Sequence, residues 1–175
     1  LTVRVYPTRQ MSRRQVIFSN RDYGGSGRGI ELELTPDLQP RAWIGTKSDY
    51  AAVTAPTSLS LHTWATLTVI ADANANTLRI LATPLVPHAA TDIATEKLTA
   101  APDLDDWSRR LSFASASDRA PIDTFNGRIE QPALFGRALH DDDIARVWAG
   151  EQLDTLIAQW DFSRDMHSHR IVDTG

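Results

Sequence analysis

Residues 125–144 are the most informative stretch of the chain: Phe125-Asn-Gly-Arg-Ile-Glu-Gln-Pro-Ala-Leu-Phe-Gly-Arg-Ala-Leu-His-Asp-Asp-Asp-Ile144. Its first half, from Gly127 to Phe135, combines apolar residues with glycine at its start and predicts a β-strand. Its second half leads into Asp141 to Ala149, where Ile144, Val147 and Trp148 share one face at helical spacing. We therefore predict a strand, a turn and one short helix, in that order.

Both ends of the predicted helix carry their own markers. Three aspartates at 141–143 fill the first turn, where the positive end of the helix dipole favours carboxylates. With His140 as the N-cap, Leu139 and Ile144 stand at the hydrophobic staple positions that fix the entry of the chain. Gly150 stands where a left-handed C-terminal cap is expected.

Outward from this stretch, the chain consists mainly of short segments with strand periodicity. The clearest hairpin joins Trp64 to Ala71 with Thr77 to Ala82 through Asp72-Ala-Asn-Ala-Asn76, whose residues tolerate left-handed backbone. The other predicted strands are Thr2 to Tyr6, Gln15 to Ser19, Gly29 to Thr35, Arg41 to Gly45, Tyr50 to Thr54, a short run ending at Leu61, Arg110 to Ala114 and Leu156 to Phe162. Residues 83–108 lack periodicity and predict a long surface excursion, and the glycine-rich residues 20–28 predict a plain loop. Strands do not alternate with helices, so the pattern indicates an all-β sandwich of two antiparallel sheets.

Composition narrows the classes of function. The chain has 175 residues, of which 42% are hydrophobic and 23% charged, and its net charge is -4. Such a chain forms one substantial core, and its acidity disfavours a nucleic-acid partner. No apolar run reaches the length of a membrane span, and the absence of cysteine excludes disulfides and thiolate metal sites. We expect no membrane partner and a cytoplasmic location.

The 125–144 stretch resembles the laminin G-like, concanavalin A-like motif, in which F-N-G-x-I-D-E leads through a strand to N-R-A-L-S and a short acidic helix. Leu61-His-Thr-Trp-Ala-Thr-Leu-Thr-Val69 is similar to the N-T-W-x-x-V-x-V strand of the same superfamily. The resemblance implies a concanavalin A-like jelly roll. Pro132 stands where the pattern has an apolar residue, which predicts a sheet edge or a bulge. Glu130-Gln131 and His140 also depart from the pattern, so a calcium site does not carry over.

A second resemblance concerns the C-terminal residues. The segment Leu156-Ile-Ala-Gln-Trp-Asp-Phe-Ser-Arg-Asp-Met-His-Ser-His-Arg-Ile-Val-Asp-Thr-Gly175 resembles the W-D-F-S-R-D and V-D-T segment of the large subunit of N,N-dimethylformamidase. In that family a lectin-like sandwich is joined to a separate catalytic domain with a mononuclear iron site. The resemblance implies a lectin-like domain at residues 1–162 and, at 163–175, the start of a linker to a following catalytic domain. It implies no cofactor in this chain, with iron in the other domain.

Two carboxylates on one strand raise the question of catalysis. Glu31 and Glu33 share one face, and glycanases with a sandwich fold use carboxylates spaced by two residues along a strand. The third acidic position of that pattern is Thr35, so we expect a solvated polar face without catalytic residues.

Other residues suggest ligands or metals. Trp107, in an acidic irregular stretch, is the tryptophan we predict to stack on a sugar, with Glu31 and Glu33 as further candidate ligand contacts. His167 and His169, near Asp161, Asp165 and Asp173, could imitate a metal site, but we expect a solvated linker there. Asp103, Asp105 and Asp106 lack the spacing of a calcium loop, so we predict no metal site.

These observations leave three hypotheses. The first is a non-catalytic accessory module of a dimethylformamidase-like amidohydrolase that acts on C–N bonds of formamides, with the catalytic domain of its own parent chain as partner. The alternative is an independent carbohydrate-binding module. The third is a glycanase that uses Glu31 and Glu33.

Overall fold

A computed structural model of the chain shows two β-sheets stacked face to face, with one helix on the outside. It describes residues 1–21, 28–46, 50–102, 111–116, 121–164 and 172–174. In these ranges the elements are β1 (Thr2–Pro7), β2 (Gln15–Ser19), β3 (Ile30–Leu34), β4 (Pro40–Gly45), β5 (Tyr50–Thr54), β6 (Ala65–Asp72), β7 (Thr77–Pro84), β8 (Asp92–Lys97), β9 (Ser112–Phe113), β10 (Gly127–Phe135), α1 (Asp141–Trp148), β11 (Leu156–Asp161) and β12 (Val172–Asp173). The predicted all-β sandwich with one short helix is confirmed.

The two sheets differ in size. Within the described ranges, the larger sheet has seven strands in the order β12-β11-β10-β1-β6-β7-β8, and the smaller has five in the order β5-β4-β3-β2-β9. Neighbouring strands in both sheets are antiparallel. The first strand, β1, lies near the middle of the larger sheet, between β10 and β6.

The core fills the space between the inner faces of the sheets. Alternate residues of each strand point inward, and among them Val5, Phe18, Leu32 and Leu67 have no exposed surface. Burying a side chain of this size stabilises the fold by about 1.5–3 kcal/mol relative to leaving it in water. The same alternation turns Glu31 and the other intervening residues of β3 and β4 to the outer face of the five-stranded sheet.

The helix covers the opposite side of the sandwich. Its Ile144, together with Leu139 and Leu153, packs on Ile70 and Leu81, which point outward from β6 and β7. Both predicted staple residues, Leu139 and Ile144, are therefore buried.

Hydrogen bonds close both ends of the helix. Oδ2 of Asp143 accepts from the backbone N–H of His140 at 2.9 Å. Gly150, with φ of +89°, donates to the carbonyl of Val147, and Glu151 donates to that of Arg146. These two bonds form a Schellman motif, which confirms the predicted glycine cap.

Pro132 produces a bulge rather than an edge. Strand β10 lies between β1 and β11, and its pairing with β1 shifts register across residues 130–133. Proline has no N–H to donate to a neighbouring strand, so the chain bulges there. The preceding residue, Gln131, adopts a left-handed φ of +48°.

Three predictions about chain segments need revision. The expected surface excursion at 83–108 contains a strand, β8, which the pattern hid because this edge strand is largely exposed. The run ending at Leu61 is a loop, since its residues pair with no strand in the described part of the chain. At the C-terminus, β12 pairs with β11, so part of the expected linker continues the larger sheet. The division at residue 162 stays a prediction.

Candidate functional site

Charged and aromatic side chains gather on the outer face of the five-stranded sheet. In the pairing of β3 with β4, Glu31 lies opposite Trp43 and Glu33 lies opposite Arg41. The chain segments that flank β2, the first residue of β5 and the loop before β10 add four more residues. We call the whole set the outer-face cluster: Arg14, Arg21, Glu31, Glu33, Arg41, Trp43, Tyr50 and Asp123.

The two carboxylates of this cluster are buried, so the expected solvated face is wrong. Neither Glu31 nor Glu33 has exposed surface. One atom, Nη1 of Arg14, lies 2.8 Å from Oε1 of Glu31 and 2.9 Å from Oε2 of Glu33. Arg14 precedes β2 and folds over the sheet, a tertiary contact that strand periodicity does not reveal. Their pairing with Arg14 offsets the free-energy cost of removing these carboxylates from water.

Glu33 is the more fully bonded of the two. Its Oε1 accepts hydrogen bonds from the Arg41 guanidinium and, at 2.9 Å, from Nε1 of Trp43. Both donors come from the neighbouring strand, where Arg41 lies opposite Glu33 and Trp43 is two residues further along on the same face. Together with Arg14, these donors bond both carboxylate oxygens of Glu33.

Glu31 has different contacts, and the Ser19 hydroxyl, opposite it on β2, is one of its hydrogen-bond donors. Oε1 of Glu31 lies 3.8 Å from Arg21 in addition to its contact with Arg14, and its buried Oε2 has no hydrogen-bond partner among the described residues. Burial raises the pKa of Glu31 above its ordinary value, and the charge of Arg14 partly opposes that rise. Glu31 therefore holds its proton more readily than a solvated glutamate does.

Asp123 anchors Arg14 from the other side. Nε of Arg14 donates to Oδ2 of Asp123 at 2.8 Å. Burial alone would lower the pKa of Arg14, but this bond and the charges of Glu31 and Glu33 raise it above the usual value. One guanidinium thus connects two strand residues with a residue at least ninety positions away in the sequence.

Aromatic rings and guanidinium groups form the exposed layer of the cluster. The rings of Trp43 and Tyr50 are 5.2 Å apart, tilted by 50°. The guanidinium of Arg21 lies 5.2 Å from the Trp43 ring and 5.4 Å from that of Tyr50, and Arg41 lies 4.9 Å from Trp43. These distances are in the range of cation–π contacts. Tyr50 is 54% exposed, so part of its ring faces solvent.

Several other candidate residues cannot be placed relative to this cluster. Trp107, His167, His169, Asp165 and residues 103–106 lie outside the described residues. Asp161 accepts hydrogen bonds from Ser163, and Asp141 pairs with Arg79 at 3.1 Å. In the part of the chain that is described, no group of three or more acidic or histidine side chains could hold a metal. The described helix, with eight residues, is too short to cross a membrane.

The sequence pattern singled out the two glutamates, but it did not reveal Arg41, Trp43 and Tyr50 as members of the cluster, nor Arg14, Arg21 and Asp123. These three lie in connections between strands, where periodicity carries no information. Two glutamates on one face of a strand that is otherwise apolar would have been the available signal, since buried carboxylates need cationic partners.

The sequence itself matches a known profile over most of its length. The description of that profile is the concanavalin A-like lectin/glucanases superfamily, and the match covers residues 1–145. The chain belongs to this superfamily. Among proteins with curated descriptions, none matches the chain.

Solved structures with the same fold include carbohydrate-binding proteins. The CBM40 domain of the Ruminococcus gnavus IT-sialidase, solved with α2,3-sialyllactose bound, has a TM-score of 0.64 and 17% identity over 83% of this chain and 80% of that one. A putative carbohydrate-binding protein from Bacteroides ovatus has a TM-score of 0.71 and 10% identity, over 99% of this chain and 48% of that one. A heptameric SAP-like pentraxin from Limulus polyphemus has a TM-score of 0.52 and 11% identity, over 98% and 78%. At these low sequence identities, the similarity to the three structures concerns the fold alone.

Proposed function

We propose that this domain is a non-catalytic carbohydrate-binding module that holds its ligand on the outer-face cluster. The observation that carries the proposal is the layered arrangement of the exposed Tyr50 and the half-buried Trp43 beside Arg21 and Arg41, above buried carboxylates. Two of the similar solved structures are described as carbohydrate-binding, which supports this choice over the accessory role alone.

The chemistry of the exposed layer suits a sugar. Aromatic rings pack against the apolar C–H faces of a pyranose, and guanidinium groups donate hydrogen bonds to hydroxyls or to a carboxylate. Glu31 and Glu33 lie beneath this layer and are bonded to Arg14 and Arg41, so in this proposal they position the arginines instead of touching the ligand. A rigid, preorganised layer of this kind loses little entropy on binding.

The same geometry argues against glycoside hydrolysis. A glycosidase needs one carboxylic acid to protonate the leaving group and a second carboxylate as base or nucleophile, both in contact with the substrate. Glu33 is already bonded to Arg14, Arg41 and Trp43, and neither it nor Glu31 has surface exposed to a substrate. We expect no release of reducing sugar from any glycan that the domain binds.

Titration by NMR with α2,3-sialyllactose and with lactose tests the proposal. These probes differ by an acidic sugar whose carboxylate can meet the arginines, so we expect sialyllactose to bind more tightly. Tyr50→Ala should weaken its binding at least tenfold, because the exposed ring is removed while the core is untouched. Ile93→Ala is the matched control, since Ile93 is 52% exposed but lies on the other sheet. The proposal is contradicted if the domain binds neither probe and no glycan on a broad array. It is also contradicted if Tyr50→Ala binds sialyllactose as tightly as the parent does.

A second candidate is the accessory role in a dimethylformamidase-like amidohydrolase. The specific observation in its favour is that the two parts of the resembling segment, Trp160-Asp161 and Val172-Asp173, are adjacent paired strands. In this hypothesis the module packs on a separate iron-containing catalytic domain of the parent chain. Sequencing the natural gene beyond the codon for Gly175 tests it, with a catalytic domain as the expected result. A stop codon or a second sandwich there would exclude it.

A further inference from the structure

A groove lies on the opposite side of the sandwich, where the end of α1 meets the outer face of the seven-stranded sheet. It consists of two cavities of about 120 Å³ and about 290 Å³. Both are lined by the same three glutamines, Gln131, Gln152 and Gln159. The larger cavity is close to the lower limit of roughly 300–1,000 Å³ that is usual for small-ligand sites.

The side-chain amides of the three glutamines are available for hydrogen bonds to a ligand. Within the described residues, none of their side-chain amides makes a hydrogen bond, although the backbone of Gln159 is fixed by Asp173 and Thr174. Each amide can donate two hydrogen bonds and accept two. A sugar hydroxyl both donates and accepts, so three converging amides match a hydroxyl-rich ligand.

Gln131 reaches this groove at an energetic cost. It has a φ of +48°, in the left-handed region, next to the bulge at Pro132. Non-glycine residues adopt this conformation only at an energetic cost. Bulges commonly redirect a side chain near functional sites, and strain of this kind is concentrated at such sites. The strain at Gln131 is an observation independent of the cavities.

The charges around the groove favour an acidic ligand. Arg4 lines the smaller cavity, pointing outward from β1 because its neighbours Val3 and Val5 are buried in the core. Among the described residues Arg4 forms no ion pair, even with its cross-strand neighbour Glu130. The acidic residues that line the two cavities are already paired, Glu151 with Arg146 at 2.8 Å and Asp161 with Arg164 at 3.0 Å. Arg4 is therefore a half-buried cation available to an anion.

We propose that this groove is a second binding site, for a saccharide unit that carries a carboxylate, such as a uronic acid residue of an oligosaccharide. The three amides bind its hydroxyls and Arg4 binds its carboxylate. Trp148, held by a 3.2 Å hydrogen bond from Nε1 to Oγ1 of Thr68, forms an apolar wall. This site is on the other sheet from the outer-face cluster and does not depend on a ligand there.

The test compares methyl β-D-glucuronide with methyl β-D-glucoside, which differ only in a carboxylate against a hydroxymethyl group. We expect the glucuronide to shift the side-chain amide signals of Gln131, Gln152 and Gln159 in NMR spectra, and to bind at least fivefold more tightly than the glucoside. Arg4→Gln should remove that preference while preserving the glucoside's affinity. Arg9→Gln, at an exposed arginine just beyond β1, is the matched control and should bind like the parent.

Each other outcome contradicts the second site in a distinct way. No shift at the three amides with either probe would exclude a saccharide in the groove. Equal affinities for the glucuronide and the glucoside would exclude an acidic saccharide as the ligand. The same holds if Arg4→Gln melts like the parent and still prefers the glucuronide. Shifts confined to the Trp43 indole and Tyr50 would place the glucuronide on the outer-face cluster, which refutes the groove and leaves the proposed function standing.

Discussion

Replacing Arg14 with Met tests how much of the outer-face cluster depends on one guanidinium. Arg14 donates to Glu31 at 2.8 Å, to Glu33 at 2.9 Å and to Asp123 at 2.8 Å. Asp123 is partly exposed and regains water when Arg14 is removed, but the two glutamates have no exposed surface. Removing one partner of a buried ion pair typically costs about 3–5 kcal/mol. We take the lower end, about 3 kcal/mol, because Arg41 still neutralises Glu33.

The loss in Arg14→Met should depend on pH with a defined sign. Burial raises the pKa of Glu31 in the parent, and removal of Arg14 raises it further. A carboxyl with a raised pKa in the folded state penalises folding when ionised, and this penalty fades as the pH falls through that pKa towards the unfolded value. The difference in unfolding free energy between variant and parent should therefore be smaller at pH 5 than at pH 8.

Urea denaturation at both pH values measures this difference, and calorimetry should give a melting temperature lowered by about 6–12 °C at neutral pH for a domain of this size. Arg13→Met is the matched control because Arg13 is an exposed neighbour. The explanation fails if the two variants are equally stable, or if the loss in Arg14→Met does not shrink at pH 5.

Three further substitutions test other parts of the fold. Trp160→Ala should cost about 3 kcal/mol in urea denaturation, because the ring packs on the core, whereas Ile157→Ala on the same strand, at a side chain 57% exposed, should stay within about 0.5 kcal/mol of the parent. Equal stability of these two would assign β11 to another domain. Gly127→Ala should lower the melting temperature far more than Gly136→Ala, since a Cβ at 127 would overlap a backbone oxygen of β1 and an aromatic ring, while the nearest atom at 136 is 3.5 Å away; similar melts would refute this packing. Asp143→Asn should melt below the parent at pH 7 and like the parent at pH 2. The bond from Arg137 lowers the pKa of Asp143 to about 2, so its contribution is present above the unfolded value of 3.8 and is lost as the pH falls through about 2. A difference that persists at pH 2 would contradict that origin.

The amino-acid sequence by itself determined the features that depend on near neighbours. Helix α1 and its glycine cap at Gly150 followed from helical spacing and from the need for a left-handed residue after the last turn. The alternation of Ile30, Leu32 and Leu34 was enough to predict β3 and its inner face. The missing N–H of proline limited Pro132 to a sheet edge or a bulge, and the position of β10 between β1 and β11 decided for the bulge. Each of these inferences concerns residues within a few positions of one another.

Only the tertiary structure decided what lies between distant segments. Glu31 and Glu33 alternate with apolar residues just as solvated residues do, and their burial became apparent only with Arg14, 17 and 19 positions away, and Asp123, which is 109 positions from Arg14. The groove likewise combines Arg4 of β1 with glutamines at 131, 152 and 159. Periodicity reports which face of a strand a residue occupies, whereas burial, ion pairing and pKa depend on what the rest of the chain places against that face.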